Sequence, residues 1–402
     1  MKLRYVFVFI CLLILLLLIA CEKQGIDEKP EESDGGLKGI EPEFNVLVIG
    51  WDGVQRDHFY ECYNQELSEC PDGLPNLKEL SNNNIFNMTI TNGATDTKAG
   101  WAQILTGLNA EKTGVYDNNY FQAIPEGYSI FEKLENYFDI VTFFIVGKGN
   151  HIGLFCEGEQ SQSKKNKIIT EDFPWCNAKK AIDFSQNALG ENENVGTLAL
   201  EKIEEYKDNK FFGFIHFEDP DHTGHEYGEN SEEYTEQIVD DDHWLGQIID
   251  KLKELGIYEN TYIYVITDHG FDEGKSGHSN APYTFFATND PNIVRSGDRK
   301  DLTPTILKKY GLELDVDGYP LDAELQFECI SEGHAYIDYN NALQCCEGLS
   351  LINLDYYYEP IDKCAAPSGG IGDNSGQCTY CGDGICNAPE QKCNCPEDCE
   401  AN

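Results

Sequence analysis

Acidic and imidazole side chains recur in this sequence just behind short apolar runs. Asp52 follows NVLVIG (residues 45–50), Asp221 and His225 follow FFGFIHF (211–217), and Asp268-His269 follows TYIYVIT (261–267). His278 comes nine residues after His269, in Ser276-Gly277-His278-Ser279. One Asp behind a strand says little, because Asp is common in turns and at helix N-caps. Four such points bearing Asp, Asp with His, Asp with His, and His say much more. Carboxylates and neutral imidazoles are the ligands that hold zinc and related divalent ions. Six of them suit two divalent metals, zinc foremost, with three protein ligands each and open positions for substrate. Two metals about 4 Å apart clamp the attacking and leaving oxygens of an in-line displacement at phosphorus.

Such a site needs a nucleophile. The segment Thr95-Asp96-Thr97-Lys98-Ala99-Gly100-Trp101 leaves a polar turn and enters a short helix. A threonine hydroxyl at a helix N-terminus, bound to a metal, loses its proton readily and attacks as an alkoxide. Backbone N–H groups there receive phosphate oxygens. Thr95 and Thr97 both qualify by position. Lys148, Asn150 and His151 follow the apolar run 140–146 and either reach substrate or stand solvated. Trp51 and Trp101 read as core, His222 as exposed or supporting, and Asp242 as a helix-face charge.

These groups need a frame that gathers them. The runs 45–50, 140–146, 211–217, 261–267 and 283–287 are short, β-branched or aromatic, and apolar on both faces. They suit buried strands of a mostly parallel sheet. Between them lie helical stretches at 99–105, 129–137, 178–188, 195–206, 231–255 and 302–310, the last with Asp301 as N-cap and Gly311 behind it. Alternating strands and helices imply an α/β domain, a mostly parallel mixed sheet between helix layers, over residues 44–326. In such sheets ligands bind at the carboxyl edge of the strands, where the Asp and His residues fall.

The ends of the chain speak to location. Residues 1–21 carry a short basic start and an apolar run ending in Leu18-Ile19-Ala20-Cys21. This reads as a lipoprotein-type signal peptide, with Cys21 as the lipidated residue. Residues 22–43 read as a flexible tether. The chain is thus expected on the extracytoplasmic face of a membrane, lipid-anchored or secreted. Sixteen cysteines agree with an oxidising compartment and disulfides. Residues 327–377 form a loop-rich extension with four cysteines. Residues 378–402 form a small module with six cysteines, held by disulfides, with Ca2+ on its carboxylates as a further expectation. A net charge of −42 from 71 acidic and 29 basic residues excludes gripping nucleic acid with a basic face.

From about residue 44 to Asp322 the chain resembles the alkaline phosphatase superfamily. The resemblance rests on Asp52-Gly53 behind the first strand, Thr106-Gly107, Asp221-x-x-Gly224-His225, Asp268-His269-Gly270, Gly277-His278 and Asp301-Leu302-Thr303-Pro304-Thr305, all in order. It implies Thr97 as nucleophile, from its distance to Thr106-Gly107. It implies one metal on Asp52, Asp268, His269 and Thr97, and another on Asp221, His225 and His278. Sulfatases are similar at Leu105-Thr106-Gly107 but need a Cys or Ser that becomes formylglycine, and threonine cannot yield that aldehyde. The chain is closer to the nucleotide pyrophosphatase/phosphodiesterase branch, which implies that Asn118, in Tyr116-Asp117-Asn118, holds a phosphoryl oxygen. That branch carries a Phe-Pro-Asn-His-like run after the threonine, and here it is Lys98-Ala99-Gly100-Trp101. Lys98 becomes a candidate partner for a second negative charge on a monoester. The expected activity is hydrolysis of a small phosphoester through a phospho-threonine. A sulfatase-like hydrolase, a phosphoryl-group transferase and a non-catalytic adhesin are the alternatives.

Overall fold

The computed structural model describes residues 42–82, 85–159 and 168–323. It also describes 335–338, 345, 349–353, 357–359, 363–365, 374–379, 381–382, 395–396 and 398–399. Cys21 and residues 22–41 of the tether lie outside the described residues, as do Asp383 and Glu390 among the carboxylates of the terminal module. Among the described residues, no helix is long and apolar enough to cross a membrane.

The frame is a seven-stranded sheet. Its strands are β1 (Asn45–Trp51), β2 (Ile85–Thr89), β3 (Val141–Val146), β4 (Phe184–Gln186), β5 (Phe211–Phe217), β6 (Thr261–Ile266) and β7 (Tyr283–Thr288). Their order is β2-β7-β6-β1-β5-β3-β4. The strands from β6 to β4 run parallel, with Val46 opposite Phe212 on one side and Tyr262 on the other. β7, between the edge strand β2 and β6, is antiparallel to both.

Why β1 shows no alternating pattern is clear from its two faces. Val46 and Val48 pack with Trp101, Phe144, Phe214 and Tyr264 on one side. Leu47, Ile49 and Trp51 pack with Phe143, Ile215, Ile263 and Phe285 on the other. A strand covered on both faces needs apolar residues at every position. Each fully buried residue of this kind contributes about 1.5–3 kcal/mol. Helices Thr97–Thr106, Ile130–Tyr137 and Leu302–Lys309 cover the first face. Helices Arg56–Tyr63, Pro75–Ser81, Asn192–Glu205 and Glu232–Glu254 cover the second.

One expected helix is absent. Residues 178–188 form a single 3-10 turn, Asn177–Ala181, followed by β4. Asp183 explains the change, since its carboxylate accepts from Thr142 N at 2.8 Å and aligns Phe184 beside Phe143 of β3. Asp301 differs too. It precedes Leu302–Lys309, but its carboxylate accepts from Asp298 N and Tyr319 N instead of the helix's own first turn. Gly311 does take the positive φ expected behind that helix, +75°. Asp242 is buried, and it accepts from Asn76 N and Leu77 N at the start of helix Pro75–Ser81, so it is a cap for a neighbouring helix.

Disulfides join Cys62 to Cys70, Cys156 to Cys176, Cys345 to Cys378 and Cys381 to Cys395. The Cys381–Cys395 bond lies within the terminal segment that was expected to be held by disulfides.

Candidate active site

Asp52 ends β1, Lys148 follows β3, Asp221 follows β5 and Asp268 follows β6, all at the carboxyl edge of the parallel strands. Asp219–Tyr227 is a helix, unforeseen in the sequence reading, and its period explains the Asp221-x-x-x-His225 spacing. Positions i and i+4 share one face, and His225 Nε2 lies 3.5 Å from Asp221 Oδ1. His222 points elsewhere, exposed and 3.9 Å from Glu226.

Two groups of prospective ligands result. Asp52, Asp268 and His269 offer ligand atoms within 4.8 Å of one another, and so do Asp221, His225 and His278. Thr97 opens its helix beside the first group, with Oγ1 3.5 Å from His269 Nε2. This closeness depends on Gly100, where a Cβ would stand 2.6 Å from Asp268 Cβ. Gly53 plays a similar part with φ +67°, since a Cβ there would fall 2.7 Å from Asp221 Cβ. Thr95 is turned away from the role of nucleophile, because its hydroxyl donates to the His278 carbonyl.

The donor chemistry fits a metal. Asp221 Oδ1 and Asp268 Oδ2 are buried carboxylate oxygens with no hydrogen-bond partner. His269 Nδ1 donates to Gly270 O at 3.0 Å, and His225 Nδ1 donates to Ser276 O at 2.8 Å. A carbonyl only accepts, so both rings carry their proton on Nδ1 and present a bare Nε2, the arrangement that orients metal-bound imidazoles. His278 Nε2 and His225 Nε2 face each other at 3.1 Å, with Asp221 Oδ1 3.7 Å from the first.

Electrostatics divides the carboxylates. Burial raises Asp52, but the Lys148 ammonium and the His216 ring outweigh it and hold the carboxyl well below the usual range. Asp221 is lowered in the same way, with Lys148 overcoming burial. Asp268 goes the other way, pushed well above its ordinary value by burial and then by the Asp52 charge. Burial lowers His269, and burial with the nearby His269 pushes His278 down to about 4. Both imidazoles are neutral at pH 7, the form that ligates.

The remaining sequence candidates separate. Asn118 Oδ1 accepts from Lys98 N at 3.0 Å, which places its amide at the start of the Thr97 helix. Lys98 Nζ donates to Asn118 O at 2.7 Å and sits 3.5 Å from the centre of the Phe121 ring, so the lysine braces the Asn118 loop. Asn150 is exposed, and Trp51 and Trp101 are fully buried. His151 keeps a buried Nδ1 without a partner, and burial with the Lys148 charge pushes its ring down to about 4.

Three supports escaped the sequence reading. His216 donates from Nε2 to Asp52 Oδ2 at 2.8 Å, and a lone His in the apolar run FFGFIHF was the available signal. Tyr234 Oη accepts from Gln55 N and donates to Gly53 O, each at 2.8 Å, fixing the turn behind Asp52. Arg299, fully buried, donates to Gln103 Oε1, to Asp268 O and to Ala94 O at 2.7, 2.6 and 2.8 Å.

Glu229 holds the loop that carries His278. Its backbone N–H donates to Lys275 O at 3.0 Å, and its Oε2 accepts from Gly274 N at 2.8 Å. Burial, then the Glu273 charge, pushes its carboxyl from 4.5 up to about 8. A carboxyl raised on folding binds extra protons in the folded state, so its contribution is present below 4.5 and is lost as pH rises through about 8. Glu229→Gln should therefore gain stability relative to the native protein between pH 6 and pH 9. Thermal midpoints of both proteins at the two pH values test this, and an unchanged difference would sink it.

Known proteins similar to this chain point to its family. The family model described as "Type I phosphodiesterase / nucleotide pyrophosphatase" matches residues 46–144 and 155–317. Ectonucleotide pyrophosphatase/phosphodiesterase family member 1 of Rattus norvegicus is 24% identical over 182 residues, covering 42% of this chain and 18% of that protein. Bis(5'-adenosyl)-triphosphatase ENPP4 of Pongo abelii is 33% identical over 63 residues, covering 15% of this chain and 14% of that protein. The matched segments thus span less than a fifth of these relatives. Among solved structures, the yidJ protein of Bacteroides fragilis, which carries a sulfatase name, is similar in fold. It gives a TM-score of 0.51 at 16% identity, over 69% of this chain and 76% of that one. With its sheet, its ordered ligand groups and a family match over most of residues 46–317, the chain belongs to the type I phosphodiesterase / nucleotide pyrophosphatase family of the alkaline phosphatase superfamily.

Proposed function

We propose that the protein is a metal-dependent hydrolase of small phosphodiesters or pyrophosphates, with Thr97 as nucleophile. The observation that carries this is the placement of Thr97 Oγ1 at the first residue of its helix, 3.5 Å from His269 Nε2 and beside the group Asp52, Asp268 and His269. Asp52, Asp268, His269 and Thr97 would hold one divalent ion, and Asp221, His225 and His278 a second, with zinc the first choice for an Asp/His set. Bound there, such ions lower the pKa of a hydroxyl and offset charge building on phosphoryl oxygens.

The chain's own residues supply the rest. Thr97 Oγ1 attacks phosphorus, the bond to the leaving oxygen breaks, and a phospho-threonine forms. Water then attacks phosphorus, the bond to Thr97 breaks and the hydroxyl is restored. The Asn118 amide, held at the helix start, binds a non-bridging oxygen. His216 fixes Asp52 by one hydrogen bond, and Arg299 fixes the Asp268 backbone by another. The names of the relatives support the diester and pyrophosphate class. Lys98, occupied with Asn118 O and Phe121, leaves a monoester without that partner.

We further assign the protein to an extracytoplasmic position, anchored through Cys21. The disulfides Cys62–Cys70 and Cys156–Cys176 within the domain support an oxidising compartment.

The test is turnover of bis-nitrophenyl phosphate against nitrophenyl phosphate, with zinc-loaded and chelator-treated protein. A clear diester excess that chelation removes is expected. Full activity after metal removal would refute the metal reading, and a monoester excess would refute the diester assignment.

A further inference from the structure

The sequence puts Lys148 in a loop at the sheet edge, whereas the fold carries its ammonium into the centre of the carboxylates. Nζ donates to Asp52 Oδ1 and to Thr97 Oγ1, each at 3.0 Å, and also to Asp221 Oδ2. Asp52 and Thr97 belong to one prospective metal position and Asp221 to the other. The side chain is nearly shut off from solvent, 11% exposed, while both carboxylates are buried.

Asp52 and Asp221 are buried carboxylates whose charges repel each other, and a cation set between them offsets that repulsion. Lys148 supplies that cation. A zinc ion on Asp52 and Thr97 would lie about 2.0–2.2 Å from each oxygen. An ammonium 3.0 Å from the same two oxygens takes up nearly the same volume. Two cations there exclude each other by contact and by charge.

Resting on the metallohydrolase reading above, we propose that Lys148 is a displaceable internal cation. It keeps Asp52, Thr97 and Asp221 assembled in metal-free protein, and a divalent ion must turn it out in order to bind. The loop itself is pinned. A Cβ at Gly147 would lie 2.9 Å from Gly190 O, and one at Gly149 would lie 2.5 Å from Ala188 Cβ. Movement therefore belongs to the four-carbon side chain, whose torsions carry the ammonium without disturbing the backbone. Turned out, it remains within one side-chain length of Thr97 and meets the anionic substrate.

The test uses the full chain stripped with a chelator and titrated with zinc against a chromophoric competitor. Thermal midpoints are recorded with and without zinc. Lys148→Met keeps all but the last atom of the side chain's length and removes its charge. It should bind zinc at least tenfold more tightly than the native protein and show a lower metal-free midpoint. Lys148→Arg, which keeps the charge, should show no gain in affinity. Equal or weaker zinc binding by Lys148→Met overturns the proposal, as does an equal gain in Lys148→Arg. If Lys148→Met folds only when zinc is added, the proposal is met in its strongest form. If zinc does not restore the fold, Lys148→Gln takes its place in the titration under the same criteria. A native protein that binds zinc while the variants bind it equally leaves the metallohydrolase reading intact and removes only the role of Lys148. Failure of every protein to bind zinc removes both.

Discussion

Thr97→Ala should lower diester turnover by about ten-thousand-fold, the scale seen when a covalent nucleophile is deleted. The substitution removes one hydroxyl and leaves the backbone at the helix start unchanged. Ala has a higher helix propensity than Thr, so the thermal midpoint should hold. Asp52, Asp268 and His269 remain, so zinc content should hold as well. That combination separates loss of chemistry from loss of structure. Thr97→Ser keeps a hydroxyl at the same position and should recover measurable turnover. Trapping labelled phosphate on the native protein, and not on Thr97→Ala, would place the covalent step at this residue. Undiminished turnover by a zinc-replete Thr97→Ala protein would remove the nucleophile assignment. Thr95→Ala offers a contrast, since it deletes a hydroxyl that anchors the His278 carbonyl. It should weaken zinc binding by the second ligand group more than it slows chemistry at saturating metal.

Arg299→Met should be the most damaging substitution outside the ligands. The guanidinium is fully buried and donates to three acceptors on three segments: Gln103 in the Thr97 helix, Asp268 O behind β6, and Ala94 O in the turn before Thr95. Burial lowers its pKa only to about 10, so it stays charged at neutral pH. Its removal strands the buried Asp268 carbonyl, the buried Gln103 amide oxygen and the part-buried Ala94 carbonyl, and a Met stem cannot serve them. Breaking a buried charged network of this kind costs about 3–5 kcal/mol. The expected result is a markedly lower unfolding midpoint in denaturant, together with weaker zinc binding as the Asp268 loop loosens. Arg299→Lys should recover only part of the loss, because an ammonium cannot reproduce the planar fork. A midpoint equal to that of the native protein would show that the network is not needed.

The prospective ligands were legible in the sequence because they are picked out by residue type and order. Asp52, Asp221, His225, Asp268, His269 and His278 could be picked out from their place behind apolar runs, and the structure brings them into two groups. The runs themselves were readable because a strand buried on both faces admits only apolar residues. β1, β3, β5, β6 and β7 therefore appeared within a residue or so of their observed ends. β4 and β2 did not, since a three-residue edge strand or a half-buried pair has too little apolar signal to compete with a helical pattern. The missed helix Asp219–Tyr227 had turn-forming residues throughout, but Pro220 and the acidic Asp219 and Asp221 in its first turn favour a helix start.

By itself, then, the sequence determined which side chains could bind metal, that they would meet at one sheet edge, and that a threonine opened a helix nearby. Only the tertiary structure gives the Thr95 hydroxyl to the His278 carbonyl, which favours Thr97 over Thr95 in the proposed role. It alone assigned His216 to Asp52 and gathered three segments on Arg299. It also moved Lys98 to a bracing role and Lys148 into the centre of the site. The physical reason is the same in each case. A ligand's identity is a local property of the residue, while the partner of a long polar side chain is set by which distant segments the core packs beside it.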